Sequence, residues 1–206
     1  MPRPIDPEKR RELARRAVAV LEREGLEISI SRLAEALGVK RPTLLYHFPT
    51  LSHIVELALE DLLTEQAAFV LPRIAARRHP IDQLYAQVRA IHEFHRGREE
   101  RVVFLTQAIA ASAGGRLAQI IEAGNRVFAP YREAMAERLR AAIREGTVAP
   151  CDVDALMALL RAVTDGLMVQ RVVMDVDLEP VHELLWRQVL GPLKRTKAQH
   201  ARRRTA

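Results

Sequence analysis

Aromatic residues make up only 4% of this 206-residue chain, so any core it builds must be aliphatic. Cysteine occurs once, as Cys151, which excludes an internal disulfide and fits a reducing, cytoplasmic setting. Runs of alternating Val, Ile and Thr are missing, which argues against a sheet. The longest uncharged run reaches 14 residues, as in Val102 to Gly115, and it contains Thr106, Gln107 and Ser112. That is too short and too polar to cross a bilayer, so no membrane partner is expected. The opening MPRPIDPEKRRELARR is basic with no apolar stretch behind it, so no secretory signal is expected either.

Signatures of catalysis and metal binding are equally thin. There is no G-x-S-x-G and no phosphate-cradling glycine loop, and no histidine lies near Cys151 in sequence, which leaves that thiol a structural reading. His92 and His95 stand three apart on an expected helix with Glu93 between them, but no cysteine pair or HExxH pattern supplies further ligands. Accordingly no catalytic residue, metal or cofactor is assigned. A helical enzyme or metal protein built on His92 and His95 stays open as a rival reading, as does a protein-interaction module.

What the chain does have is helical periodicity. With 49% hydrophobic residues, and prolines and glycines mostly between periodic segments, it reads as all-α with about nine helices. The first starts at Asp6-Pro7, carries Leu13, Ala17, Val20 and Leu21 on one stripe, and stops at Gly25. A fourth runs from about Ser52 to Leu71, with Ile54, Ala58, Leu62 and Phe69 inward and Pro72 beyond its end. Others are expected near Ile81 to Arg96, Glu99 to Ala113, Arg116 to Glu145, Val153 to Val173 and Pro180 to Leu193.

Charge is unevenly placed. The net +6 divides into +3 over residues 1 to 50, −3 over 51 to 193 and +6 over 194 to 206. A basic head on a slightly acidic body is the distribution expected when one end meets a polyanion. The tail KRTKAQHARRRTA lacks apolar periodicity and reads as disordered; it is either a solvated terminus or an extra attraction for phosphates.

The richest stretch is Ile28 to Phe48, ISISRLAEALGVKRPTLLYHF. Ser29 can cap a short helix carrying Leu33, Ala34 and Leu37, and Gly38 supplies the left-handed turn that ends it. Pro42 falls in the opening turn of a second helix, where its missing N–H breaks no bond, with Leu44, Leu45 and Phe48 as apolar anchors. Lys40, Arg41 and Thr43 are left facing outward. Two short helices joined by a tight turn form a layout that reads DNA.

In the order Ser29-Ile30, Leu33-Ala34, Leu37-Gly38-Val39, Pro42-Thr43-Leu44, Tyr46-His47-Phe48, the chain resembles the TetR family of bacterial transcription regulators. The motif likeness covers about Ile5 to Leu63; the rest is similar in length and helical character. The resemblance implies that Lys40, Arg41, Pro42 and Thr43 meet base edges, that Tyr46 and His47 meet phosphates, and that Ser31 is also a DNA-contacting residue. Residue by residue, Arg41 suits both acceptors of guanine but equally a phosphate, and Thr43 suits a base or a bare helix surface. Tyr46 suits a phosphate or internal packing. Leu45 and Leu51 depart from the pattern, standing where many members have a tyrosine and a lysine that touch the DNA backbone, which should flatten the salt dependence of binding.

The resemblance further implies residues 1–51 as a helix-turn-helix domain, 52–193 as an effector-binding and dimerisation domain, and 194–206 as a basic tail. From Val153 to Met174 the apolar residues wrap almost all round the helix, which therefore needs cover on most sides. Val181, Leu184, Leu185, Trp186, Val189 and Leu193 can supply part of it, and a second copy the rest, as a four-helix bundle; a monomer core is the alternative. Phe104, Gln107, Phe128, Tyr131, Arg161 and Asp165 are the candidate ligand-binding residues, though each also suits core packing, and Arg161 with Asp165 suits an ion pair across one turn. An unidentified hydrophobic small-molecule effector, a double-stranded operator and a second copy are thus the expected partners of a homodimeric regulator, a repressor rather than an activator.

Overall fold

The computed structural model describes residues 6–25, 27–101, 104 and 116–195, with backbone only for 116–127. Among these residues the fold is all-α: α1 (Pro7–Glu24), α2 (Ile30–Ala36), α3 (Arg41–His47), α4 (Leu51–Ala75), α5 (Pro80–His95), α6 (Arg116–Arg144), α7 (Val153–Met174) and α8 (Leu178–Leu184). The helix expected over Glu99 to Ala113 falls largely outside the described residues, although 99–101 and 104 are helical. No described helix is long and apolar enough to cross a membrane. The chain forms two compact units, Met1–Glu65 with Glu100–Val127, and Gln66–Glu99 with Phe128–Ala206.

In the first unit, local chemistry sets the helix ends. The Asp6 carboxylate accepts from the amides of Glu8 and Lys9 at 3.0 and 3.3 Å, filling donors the first turn leaves unpaired. Gly25 turns the chain at φ 88°, a region costly for residues with a β-carbon. The expected stripe of Leu13, Ala17, Val20 and Leu21 is buried, and α2 packs between α1 and α3. Ile54, Ala58 and Leu62 of α4 are buried as well, while Phe69 is only partly covered.

Pro72 does not end α4, which runs on to Ala75. A proline this near the terminus removes a single backbone bond, and the next amides are still served, with Ala76 N–H donating to Pro72 O at 3.0 Å. Arg73 adds a side-chain bond from Nη1 to Phe69 O at 2.8 Å. Pro130 likewise sits inside α6, which continues to Arg144.

The second unit has an aliphatic core in which Val70 and Ile74 of α4, Ile81, Leu84 and Val88 of α5, Met135 and Leu139 of α6, Leu156 and Leu160 of α7, and Leu185 and Leu190 cluster. His79 caps α5, its Nδ1 accepting from Ile81 N–H at 3.2 Å, so the helix opens at Pro80. Asp152 caps α7 by accepting from Ala155 N–H at 3.0 Å. The last segment differs from the single helix expected over Pro180 to Leu193. It starts at Leu178 behind an Asp177 cap, widens into a π turn over Leu185–Leu190, and tightens to a 3₁₀ turn at Gly191–Leu193. A single antiparallel bridge, Val148 to Lys194, then ties it to the loop after α6.

Gly191 is what allows the π turn. A β-carbon there would stand 2.8 Å from the carbonyl oxygen of Trp186, which is backbone and cannot swing aside. Gly191→Ala should therefore lower stability by about 1–3 kcal/mol, the usual scale for overpacking, measured by denaturant unfolding; an unchanged midpoint would show that the turn relaxes freely.

Candidate nucleic-acid interface

The geometry of the α2–α3 pair is governed by its buried anchors. Ser29 Oγ accepts from Arg32 N–H at 3.2 Å to start α2. At the turn Gly38 adopts φ 66°, its N–H donates to Glu35 O at 2.9 Å, and Val39 N–H reaches Ala34 O at 3.0 Å. Leu33, Leu44 and Phe48 have no solvent exposure. With Leu44 and Phe48 one turn apart and pointing inward, the remaining side of α3 must face out.

Pro42 on that outer side is exposed, as are Lys40 and Arg41 where the helix opens, with Thr43 and Leu45 half-buried. Tyr46 is 44% exposed, and Ser31 is exposed on α2. No acidic residue lies in the first turn of α3. Arg32, by contrast, is engaged by Glu24 at 3.2 Å and Glu35 at 3.1 Å, so the nearest cation on α2 is neutralised. Leu51 is the first residue of α4, where Thr50 Oγ1 and His53 Nδ1 are hydrogen-bonded at 2.9 Å.

His47 is placed differently from its outward neighbours. It is buried, with its Nδ1 lacking a hydrogen-bond partner and its ring edge-on to Tyr46 at 5.4 Å. Burial, then the charges of Lys9 and Arg10, lower its pKa below the ordinary imidazole value, against an opposing pull from Asp6. A neutral imidazole packed between α1 and Phe48 serves the head as filling. Arg10 of α1 sits 5.4 Å over the Phe48 ring, and Arg16 Nη2 donates to Leu37 O at 2.6 Å, so α1 holds both the turn and the far end of α3. Arg16 had no signal beyond being one of many arginines on α1.

The candidate ligand residues are divided between the two units. Phe104 is half-buried in the first unit, and Gln107 lies outside the described residues. Phe128 and Tyr131 are half-buried in the second unit, where the Tyr131 hydroxyl is buried without a partner and burial raises its pKa. Arg161 and Asp165 are exposed on α7 and pair with each other.

His92 and His95 do not converge. His92 Nε2 meets Thr164 O at 2.9 Å and its Nδ1 meets His182 Nε2 at 2.7 Å, while His95 Nε2 meets Gln66 Oε1 at 2.6 Å. Among the described residues no three His, Cys, Asp or Glu side chains gather as metal donors. Sequence spacing does not reveal the histidine pair, whose members are 90 residues apart; the one available signal is His182 falling in register with buried Leu178 and Leu185.

No family model matches the chain, and no curated protein matches it. Solved structures do. The ketosteroid transcriptional regulator KstR2 of Mycobacterium tuberculosis is 20% identical, covering 93% of this chain and 98% of its own, with a TM-score of 0.65. The TetR family transcriptional regulator PfmR from Thermus thermophilus is 19% identical over 90% of this chain and 97% of its own, at 0.66. The transcriptional regulator FadR from Bacillus subtilis, in complex with stearoyl-CoA, is 17% identical over 86% and 98%, at 0.69. At these identities the likeness establishes the fold: the chain has the all-α fold of TetR-family regulators.

The burial of His47 has a measurable consequence. Because its folded pKa is lowered, its contribution to stability is complete above the unfolded value of about 6.5 and is lost as pH falls through that value toward the folded one. In a histidine NMR titration His47 should titrate below the ordinary range; an ordinary midpoint would return it to the solvent-facing surface.

Proposed function

We propose that this protein is a homodimeric, ligand-responsive transcription regulator, a repressor that binds a palindromic operator and leaves it when a small molecule is bound. The observation that carries the reading is α3 itself: an exposed Lys40-Arg41-Pro42 opening turn on a helix anchored by fully buried Leu44 and Phe48. The shared fold supports it, since regulators such as KstR2 and PfmR have the same architecture. In this reading residues 1–51 form the DNA-binding head, 52–193 the effector-binding and dimerisation body, and 194–206 a basic tail, in the cytoplasm.

Lys40, Arg41 and Thr43 read bases, Pro42 shapes the approach, and Ser31 and Tyr46 contact the backbone. His47 supports α3 from within, so the phosphate role implied by its position passes to exposed groups around it. A body with Phe128 and the unpartnered Tyr131 hydroxyl suits a largely apolar effector bearing one polar group. The effector acts by preferring a dimer whose two α3 helices are misplaced for successive grooves.

Dimerisation is supported by the face of α7 and α8 that the protomer leaves bare. Leu159, Val169, Val173 and Met174 of α7 and Leu184 of α8 are exposed, the last three at 69%, 68% and 59%. Leu159, Ala162, Gly166, Val169 and Val173 follow helical spacing along one stripe, and a β-carbon at Gly166 would meet nothing within 4 Å in its own protomer. A two-fold partner using the same stripe would cover it and set two α3 helices about one DNA turn apart.

Two results are expected. Operators recovered by selection from genomic fragments should lose about 1–3 kcal/mol of binding on Arg41→Ala, with relaxed base preference at one position of each half-site, and Thr43→Ala should weaken a neighbouring position. Unchanged affinity and preference in both variants would remove α3 as the reading surface. Val169→Asp should yield a folded monomer in sedimentation, because a charge at the centre of the stripe cannot be desolvated against its own copy; a persistent dimer would place the interface elsewhere.

A further inference from the structure

The second unit buries a histidine pair that the regulator reading does not use. His92 of α5 and His182 of α8 are 4% and 5% exposed, with ring planes within 14° and centroids 5.0 Å apart. Their 2.7 Å Nδ1···Nε2 contact is shorter than any face-to-face spacing, so the rings meet edge to edge through one hydrogen bond. Its direction can be deduced. The Thr164 carbonyl on α7 can only accept, so His92 Nε2 carries a hydrogen and donates to it at 2.9 Å. In neutral His92 the Nδ1 is then an acceptor, and His182 Nε2 must be the donor. This leaves His182 Nδ1 as a bare lone pair, buried and without a hydrogen-bond partner.

We propose that the His92–His182 pair is an acid-released latch fixing α8 to α5 and α7. With both rings neutral, one chain of hydrogen bonds joins all three helices, from His182 to His92 to the Thr164 carbonyl. Acid places a solvent proton on His182 Nδ1, and the resulting imidazolium needs a carboxylate or water. Glu179 Oε2 stands 3.9 Å away, but Arg89 already holds Glu179 with two bonds of 2.6 and 2.9 Å. Either Glu179 leaves Arg89 or the start of α8 lifts to admit water, and both loosen the seat of α8.

Burial, more than the charges around the pair, favours the neutral state. On α5, Arg89 repels a proton on His182, and His92 itself does the same; on α8, Glu179 and its N-terminal neighbour Asp177 attract it. Asp165 of α7 and Glu99 just beyond α5 attract a proton on His92, with Glu99 committed to Arg171 at 2.9 Å. Burial outweighs these attractions, so both imidazoles sit below their ordinary pKa. A histidine with a lowered folded pKa gives full stability above about pH 6.5 and loses it as pH falls toward the folded value. Because α8 carries exposed Leu184, a residue of the proposed dimer face, its release would also weaken pairing of two copies. That consequence rests on the dimer reading; the latch does not.

The test is backbone amide exchange on the full chain at about pH 7.5 and about pH 5, corrected for intrinsic rates, comparing Leu178–Leu190 with α6 around Leu139. The wild type should lose about tenfold of its protection in Leu178–Leu190 relative to α6 at the lower pH. His182→Gln keeps a donor near the Nε2 position and cannot be protonated, so it should shrink that difference to the part His92 contributes. Equal protection at both pH values in the wild type, or the same loss in His182→Gln, would overturn the latch. Should His182→Gln not fold, ring nitrogen NMR of the wild type decides. Nε2-protonated tautomers at both histidines with titration below the ordinary range support the latch, and an Nδ1-protonated His182 or an ordinary midpoint refutes it. Neither readout requires DNA or a dimer, so failure of the regulator reading leaves this test intact.

Discussion

The insertion of Leu44 and Phe48 into the small core between α1 and α2 is the interaction on which the functional reading depends. A helix of seven residues such as α3 has no stability of its own in water, because nucleation costs more than two turns return. It exists here because Leu44, and Phe48 at its end, are fully buried. The same burial turns Pro42 and Tyr46, on the opposite side of the helix, toward solvent, while Lys40 and Arg41, one turn before Leu44 on its own side, are exposed because they open the helix. Arg16 at the turn and Arg10 over Phe48 restrict how the rod can tilt, and a reading surface needs that rigidity to hold its side chains in register with base edges.

A second constraint runs through the body. The protomer buries one side of α7, through Val153, Leu156, Leu160 and Met168, and leaves Leu159, Val169, Val173 and Met174 to solvent. Exposed apolar side chains at helical spacing are what the proposed pairing of two copies would cover. The interior of the same body holds polar chemistry: His92, His182 and Thr164 form one buried chain, and His95 with Gln66 another. Buried polar groups restrict how helices can be seated, since a shifted helix leaves a donor or acceptor unmet. In the proposed reading a second copy covers the outer face of α7, while the buried polar chains fix how the inner helices are seated.

Features set by chemistry within one turn of helix were legible in the sequence. The caps at Asp6 and Ser29, the positive φ of Gly25 and Gly38 and the inward stripe of α1 all follow from neighbouring residues. Pro72 lies inside α4 rather than beyond it, because Val70 and Ile74 on either side of it are buried in the core of the second unit, a tertiary contact that the local rule that proline stops a helix ignores. The π turn before Gly191 was not legible, since it depends on the close approach of the Trp186 carbonyl. The resemblance implies a phosphate contact for His47, yet it is buried, because it stands three residues after fully buried Leu44 and so on the same side of the helix. The His92–His182 bond spans 90 residues, and no periodicity announces a pairing of that kind.

The most direct test of the central claim is a chemical footprint of the protein on a selected DNA fragment at low salt. Two α3 helices presented by one assembly should protect two major-groove patches on the same face of the duplex, centred about 10 base pairs apart or a multiple of that. Protection confined to one patch, two patches on opposite faces, or no protection at low salt would contradict it.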